Sequence, residues 1–134
     1  MRMAIFASVV MMSGTAAAQP TGTWRTPIGG EVTIEACGKA LCGRLVSSPL
    51  LKTNPDLRDQ KNPDPNLRDR RLKGIMILTS FTGGPTKWSN GRIYNAEDGR
   101  TYSGSIALVS PRTLTLRGCL VAFLCRSQTW TRIR

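Results

Sequence analysis

The sequence predicts an all-β fold, an antiparallel barrel of about eight strands, on three observations. No long stretch holds a 3.6-residue apolar period, so long amphipathic helices are not expected. Short strand-like runs recur from residue 23 to the end, bounded by Gly, Pro, Asn and Asp. All links between them are short except one, which is the connectivity of an up-and-down barrel. A two-sheet sandwich is the runner-up. A barrel of this size is either filled by its own side chains or holds one small ligand.

Thr23-Trp24-Arg25 opens the first strand, which stops at Pro27-Ile28-Gly29-Gly30. Glu31 to Ala36 alternates cleanly, with Val32, Ile34 and Ala36 on one face and Glu31, Thr33 and Glu35 on the other. Leu41 to Val46 follows after a link short enough for a hairpin. Later runs cover Leu72 to Phe81, Arg92 to Tyr94, Thr101 to Val109, Thr113 to Leu120 and Leu124 to Ile133. Gly83-Gly84-Pro85, Asn90-Gly91, Asp98-Gly99 and Ser110-Pro111 supply the turns between them. The run from Gly74 has two apolar faces, Ile75-Ile77-Thr79-Phe81 and Met76-Leu78-Ser80. Both need covering, one by core and one by something else.

That cover is expected from residues 47–71, the one long link. Pro49, Pro55, Pro63 and Pro65 exclude regular strand or helix there. Within it Asn54-Pro55-Asp56-Leu57-Arg58-Asp59 is echoed by Asn62-Pro63-Asp64-Pro65-Asn66-Leu67-Arg68-Asp69, a near-repeat too short to be architectural. The segment Asn54–Arg71 should border an opening at one end of the barrel.

Residues 1–18 read as a signal peptide: Arg2, an apolar run from Met3 to Met12, then small residues ending in Ala16-Ala17-Ala18. The apolar run is too short to span a bilayer. Cleavage after Ala18 would leave 19–134 as one domain in the periplasm or the medium, with no later segment apolar enough to span. Export leads to an oxidising compartment, so the four cysteines are expected as disulfides rather than zinc ligands. Three pairings are open, and proximity favours Cys37 with Cys42 and Cys119 with Cys125. The pleat sends Cys37 and Cys42 to the outer face of one hairpin, which supports the first.

The formal charge is +11, or +10 once Arg2 is removed with residues 1–18. For an exported chain this points to anionic envelope components rather than nucleic acid. With no histidine, Ser-His-Asp and Cys-His catalysis are excluded. The carboxylates Asp56, Asp59, Asp64 and Asp69 have arginine or lysine close in sequence, and ion pairs are the simpler account of them than hydrolase chemistry. Their spacing is not that of a calcium loop, so neither metal nor cofactor is expected and the chain reads as a binder.

Five ordered motifs carry a family resemblance: Gly-Thr-Trp at 22–24, Cys-Gly-Lys-Ala-Leu-Cys-Gly-Arg-Leu-Val at 37–46, Asn-Pro-Asp-Pro-Asn-Leu-Arg-Asp-Arg-Arg-Leu-Lys-Gly at 62–74, Gly-Arg-Ile-Tyr-Asn at 91–95 with Asp-Gly-Arg-Thr-Tyr at 98–102, and Ser-Gln-Thr-Trp-Thr-Arg at 127–132. Together they resemble the DUF2147 family of small exported bacterial proteins. The resemblance implies a lipocalin-like barrel and carries no biochemical activity with it. It departs at Arg71, where members commonly have proline. It also implies a structural pair, Arg132 over the Trp24 ring, closing one end.

Function is therefore expected at a barrel mouth, binding a small amphipathic or apolar ligand. Trp88, Tyr94 and Tyr102 lie near turns that would form the mouth, and Arg68, Arg70 and Arg71, with Lys73, would meet an anionic head group. The alternative is an envelope module that binds anionic polymer or lipid through its basic surface, without a cavity. That mode would be strongly salt-sensitive, whereas an apolar cavity ligand would not.

Overall fold

The computed structural model describes residues 19–134 together with 4, 5, 7 and 8. The expected signal peptide, 1–18, otherwise lies outside the described residues. Eight antiparallel strands close into a barrel in simple sequence order: β1 (Gly22–Arg25), β2 (Glu31–Cys37), β3 (Ala40–Ser47), β4 (Met76–Gly83), β5 (Lys87–Asn95), β6 (Arg100–Ser110), β7 (Thr113–Val121) and β8 (Leu124–Arg132). The barrel is the expected fold, and the sandwich is set aside.

Up-and-down order fixes what lies at each end. One end gathers the β2–β3, β4–β5 and β6–β7 turns and both barrel termini; the other gathers the β1–β2, β5–β6 and β7–β8 turns and the long β3–β4 connection. The first end is plugged. Trp24, Leu41, Trp88, Leu114 and Trp130 pack there with Ile34, Phe81 and Ile106, all at most 8 % exposed. Arg132 completes the plug, 4.4 Å from the Trp24 ring, while donating to the carbonyls of Pro111 at 2.7 Å, Thr21 at 2.8 Å and Gln19. A guanidinium over an indole contributes about 0.5–2 kcal/mol, more as water is excluded.

Three register-matched glycines set how far this core extends. Gly91 pairs with Gly104, and Gly104 with Gly118, in a row across β5, β6 and β7. A Cβ on Gly91 would lie inside the Phe81 ring, and one on Gly104 would meet Ile93. The row is bare so that Phe81 and Ile93 can fill the middle of the barrel.

Two expectations are corrected by bulges. Asn90-Gly91 is no turn: β5 runs through it, with Asn90 at φ 58° where the register to β6 shifts. On β4, Ser80 sits at φ 63°, so alternation breaks and Leu78 and Phe81 both turn into the core. The two-face reading of Gly74–Phe81 fails at that residue. The prolines of the long link also permit more order than expected. Pro49 begins a short helix α1 (Pro49–Thr53), capped by the Ser48 side chain, and Pro65 begins a single 3-10 turn. Proline is tolerated at a first turn, where its missing N–H would have had no partner.

Both local disulfides are present, Cys37–Cys42 and Cys119–Cys125, with Cα separations of 5.8 and 4.0 Å. They sit at opposite ends of the barrel, the first beside the plugged end and the second at the base of the β7–β8 turn.

Candidate functional site

The other end is built differently. Leu114 and Leu116 face inward on β7, so their partners Trp130 and Gln128 on β8 do too, and Gly118 with Arg126 follows in the same pleat. Trp130 is buried, yet Gln128 and Arg126 are exposed. The reason lies in the seam. β8 meets β1 only at Trp24↔Arg132 and Arg25↔Thr131, so Leu124–Thr129 pair with β7 alone among the described residues. The barrel is shut at one end and parted at the other, and inward side chains at the parted end meet solvent.

Tyr102 faces into the same opening. It pairs with inward Ile93, and its ring lies close to Gly118. Its hydroxyl donates to Asp98, which raises its pKa, while the charges of Arg100 and, less, of Arg126 act to lower it. The Trp130 indole donates to Gln128 Oε1 at 3.0 Å and holds that amide over the plug. The mouth thus presents an apolar floor of Ile93 on β5, with Leu45 two strands away on β3, beneath an arginine, an amide and a phenol. The sequence reading does not place Arg126 or Gln128 at a mouth, Gln128 entering only as part of the 127–132 motif. Counting back from Trp130 in steps of two reaches both, and that parity was the available signal.

The long connection fastens to the rim from outside. Tyr94 follows inward Ile93 and so points outward, where its hydroxyl donates to Asp59 Oδ1 at 2.5 Å. Asp59 also accepts from Arg70 Nε and Asn62 Nδ2, each at 2.9 Å on Oδ2, and its side chain is fully buried. Arg70 lies 5.6 Å from the Tyr94 ring. Burial first, then the Asp59 hydrogen bond and charge, push the Tyr94 pKa up to about 12. The near-repeat has a local cause: Asn54 and Asn62 each accept from the backbone N–H two residues on, forming two Asx turns. Lys61 donates to the Glu97 carbonyl, and Gly99 is bare where Lys61 passes it.

The other residues expected at the mouth are dispersed. Trp88 belongs to the plug, at 8 % exposed. Arg68 Nε donates to the Asn62 carbonyl, and Arg71 pairs with exposed Asp56 at 3.0 Å. Arg70 is committed to Asp59, so of the three arginines expected at the mouth Arg68 and Arg71 keep the most exposed charge. Lys73 lies with Val46, Ser47, Leu51, Lys52 and Pro55 around a shallow outer depression, away from the interior. Glu35, Cys37 and Cys42 are the grouping of metal-donor atoms among the described residues, but both sulfurs are consumed by the disulfide. Among the described residues no helix is long and apolar enough to cross a membrane.

Comparison with known proteins places this architecture. A solved structure, protein HP1028 from the human pathogen Helicobacter pylori, described as belonging to the lipocalin family, superposes with a TM-score of 0.78. The alignment covers 85 % of this chain and 82 % of that one at 23 % identity, a likeness of fold. No curated protein matches. The family described as "Uncharacterized protein conserved in bacteria (DUF2147)" matches residues 22–132, from the first residue of β1 to the last of β8. On that match across the whole barrel, the chain belongs to the DUF2147 family.

Proposed function

We propose that this is an exported binding protein whose parted end takes a small amphipathic ligand with an acidic head. One observation carries the reading: Arg126 and Gln128 point into the barrel and remain exposed, above a floor of apolar side chains. The Arg126 guanidinium and the Gln128 amide N–H, whose oxygen is already taken by Trp130, suit a carboxylate or phosphate, and Ile93 and Leu45 suit the adjoining chain. Arg68 and Arg71 add exposed positive charge on the connection fastened to the outside of the barrel. Two disulfides fit an oxidising destination.

Apolar contact supplies most of the affinity, about 25 cal/mol per Å² before association costs, and an exposed arginine adds about 1 kcal/mol or less. Titration with a fluorescent fatty acid tests this. Arg126→Ala should weaken binding about tenfold, Arg68→Ala only about twofold, and Gly118→Phe, which fills the mouth, should abolish it. If none of these variants changes the titration, or no fatty-acid probe binds, the mouth reading is wrong.

A further inference from the structure

Exposed apolar side chains gather at the parted end. The β7–β8 turn carries Leu120, Val121, Phe123 and Leu124 at 41, 45, 83 and 56 % exposed. Ile28, in the β1–β2 turn, is 70 % exposed at the same end, and Leu50 on α1 is 64 % exposed. The plugged end offers Val109 at 66 %. Exposed leucine or valine singly needs no explanation, but four apolar residues on one protruding turn do. The Cys119–Cys125 bridge closes the base of that turn and holds it as a fixed knob, so no ordering cost is met when it is buried.

Charge identifies the occupant. From Gly99 to Arg134 there is no aspartate or glutamate, while Arg100, Arg112, Arg117, Arg126, Arg132 and Arg134 are all present. Arg117 is exposed on the outer face of β7, beside the turn. Of these arginines, Arg112, Arg132 and Arg134 lie at the plugged end, whereas Arg117 and Arg126 stand on the two strands that carry the knob, a hairpin with no carboxylate of its own. An apolar tip with cationic strands behind it matches an interface that is apolar inside and anionic at its surface.

We propose that the protein docks its parted end onto an anionic lipid bilayer, inserting Val121, Phe123 and Leu124 among the head groups while Arg117 and its neighbours contact lipid phosphates. Docked in this way, the mouth faces the membrane. The inference does not require the mouth ligand, and each can fail alone.

Co-sedimentation of residues 19–134, a truncation that leaves all eight strands intact, with vesicles of phosphatidylcholine alone or mixed equally with phosphatidylglycerol tests it. The mixed vesicles should bind the protein at least about tenfold better, and raising salt from about 0.05 to about 0.5 M should reverse most of the gain. The double substitution Val121→Ser and Phe123→Ser should lower partitioning at least about tenfold. Arg117→Glu, which leaves the apolar knob untouched, should lower it about fivefold or more on mixed vesicles only. Val109→Ser, equally exposed at the other end, should change nothing. Melting curves and the fatty-acid titration run on the same variants separate docking from folding and from the mouth. Equal binding to both vesicles, wild-type partitioning of the knob variant, or a dimer in solution that the knob variant dissociates would each overturn the proposal; the last would assign the knob to a second copy of the chain.

Discussion

The two ends of the barrel share strands but not design. At the plugged end three tryptophans, Trp24, Trp88 and Trp130, interlock with aliphatic side chains, and Arg132 ties the two ends of the barrel chain, β8 and the residues before β1, over them. At the parted end the inward positions include Tyr102, Arg126 and Gln128, exposed or half-buried, and the β7–β8 hairpin tip carries exposed apolar side chains. The difference teaches that stability and recognition are separated along the strands. One half of each strand holds the barrel shut, and the other is free to carry groups that a core would reject.

Substitution at the plugged end gives the largest expected effect. Trp24→Ala empties a fully buried site and should cost about 3–5 kcal/mol in a denaturant melt. An equal loss from Arg126→Ala would break the contrast, because that residue should leave the melt unchanged. Asp59→Ala comes next, at about 2–4 kcal/mol, since it leaves the Arg70 guanidinium and the Tyr94 hydroxyl without their shared acceptor. Its signature should be local: hydrogen exchange should quicken across residues 54–71 more than in β7. Uniform quickening would mean that the loop is part of the core rather than a fitting on its rim.

A smaller effect separates the loop anchor from the plug by pH. Tyr94 ionises at about 10 when unfolded and near 12 in the fold. Its contribution is complete below pH 10 and is lost as pH rises through 12, because only the unfolded chain releases the proton in that window. Melts from pH 9 to 12 should therefore fall more steeply for the native chain than for Tyr94→Phe. Parallel curves would show that Asp59 draws nothing from the phenol. The smallest effect is expected at Arg71→Ala, whose ion pair with Asp56 is exposed on both sides: about 0.5 kcal/mol or less, and no change in fatty-acid binding beyond about twofold.

The barrel was legible because its signals are local and repeat. Alternation in Glu31–Ala36 and turn chemistry at Asp98-Gly99 and Ser110-Pro111 each name an element, and short links name the topology. The bulges were not legible. Ser80 and Asn90 take positive φ inside strands, and Asn-Gly reads as a turn until its neighbours in space are known. Pro49 and Pro65 looked like breaks and proved to be starts, since proline at a first helical position gives up no hydrogen bond. At the mouth, Tyr102 was visible as an aromatic near a turn, whereas the roles of Arg70 and Trp88 depend on Asp59 and on the plug, which are distant in sequence. Arg126 escaped for the opposite reason. An inward arginine contradicts the pattern that defines a strand's core face, and only the parted seam makes it tolerable.

That seam also bears on how the chain assembles. Seven of the eight strand pairings join neighbours in sequence; six of these form as local hairpins, and β3–β4 closes across residues 48–75. The eighth joins β1 to β8, where Arg132 donates to a carbonyl 111 residues earlier. Ordering so long a loop gains nothing until the contact is made, so closure belongs late in folding, after the meander has set the strand registers. Contacts made after the rate-limiting barrier govern how fast a protein comes apart rather than how fast it forms. Arg132 is then a brake on unfolding. Its removal should leave the refolding rate nearly unchanged and shorten the lifetime of the closed barrel.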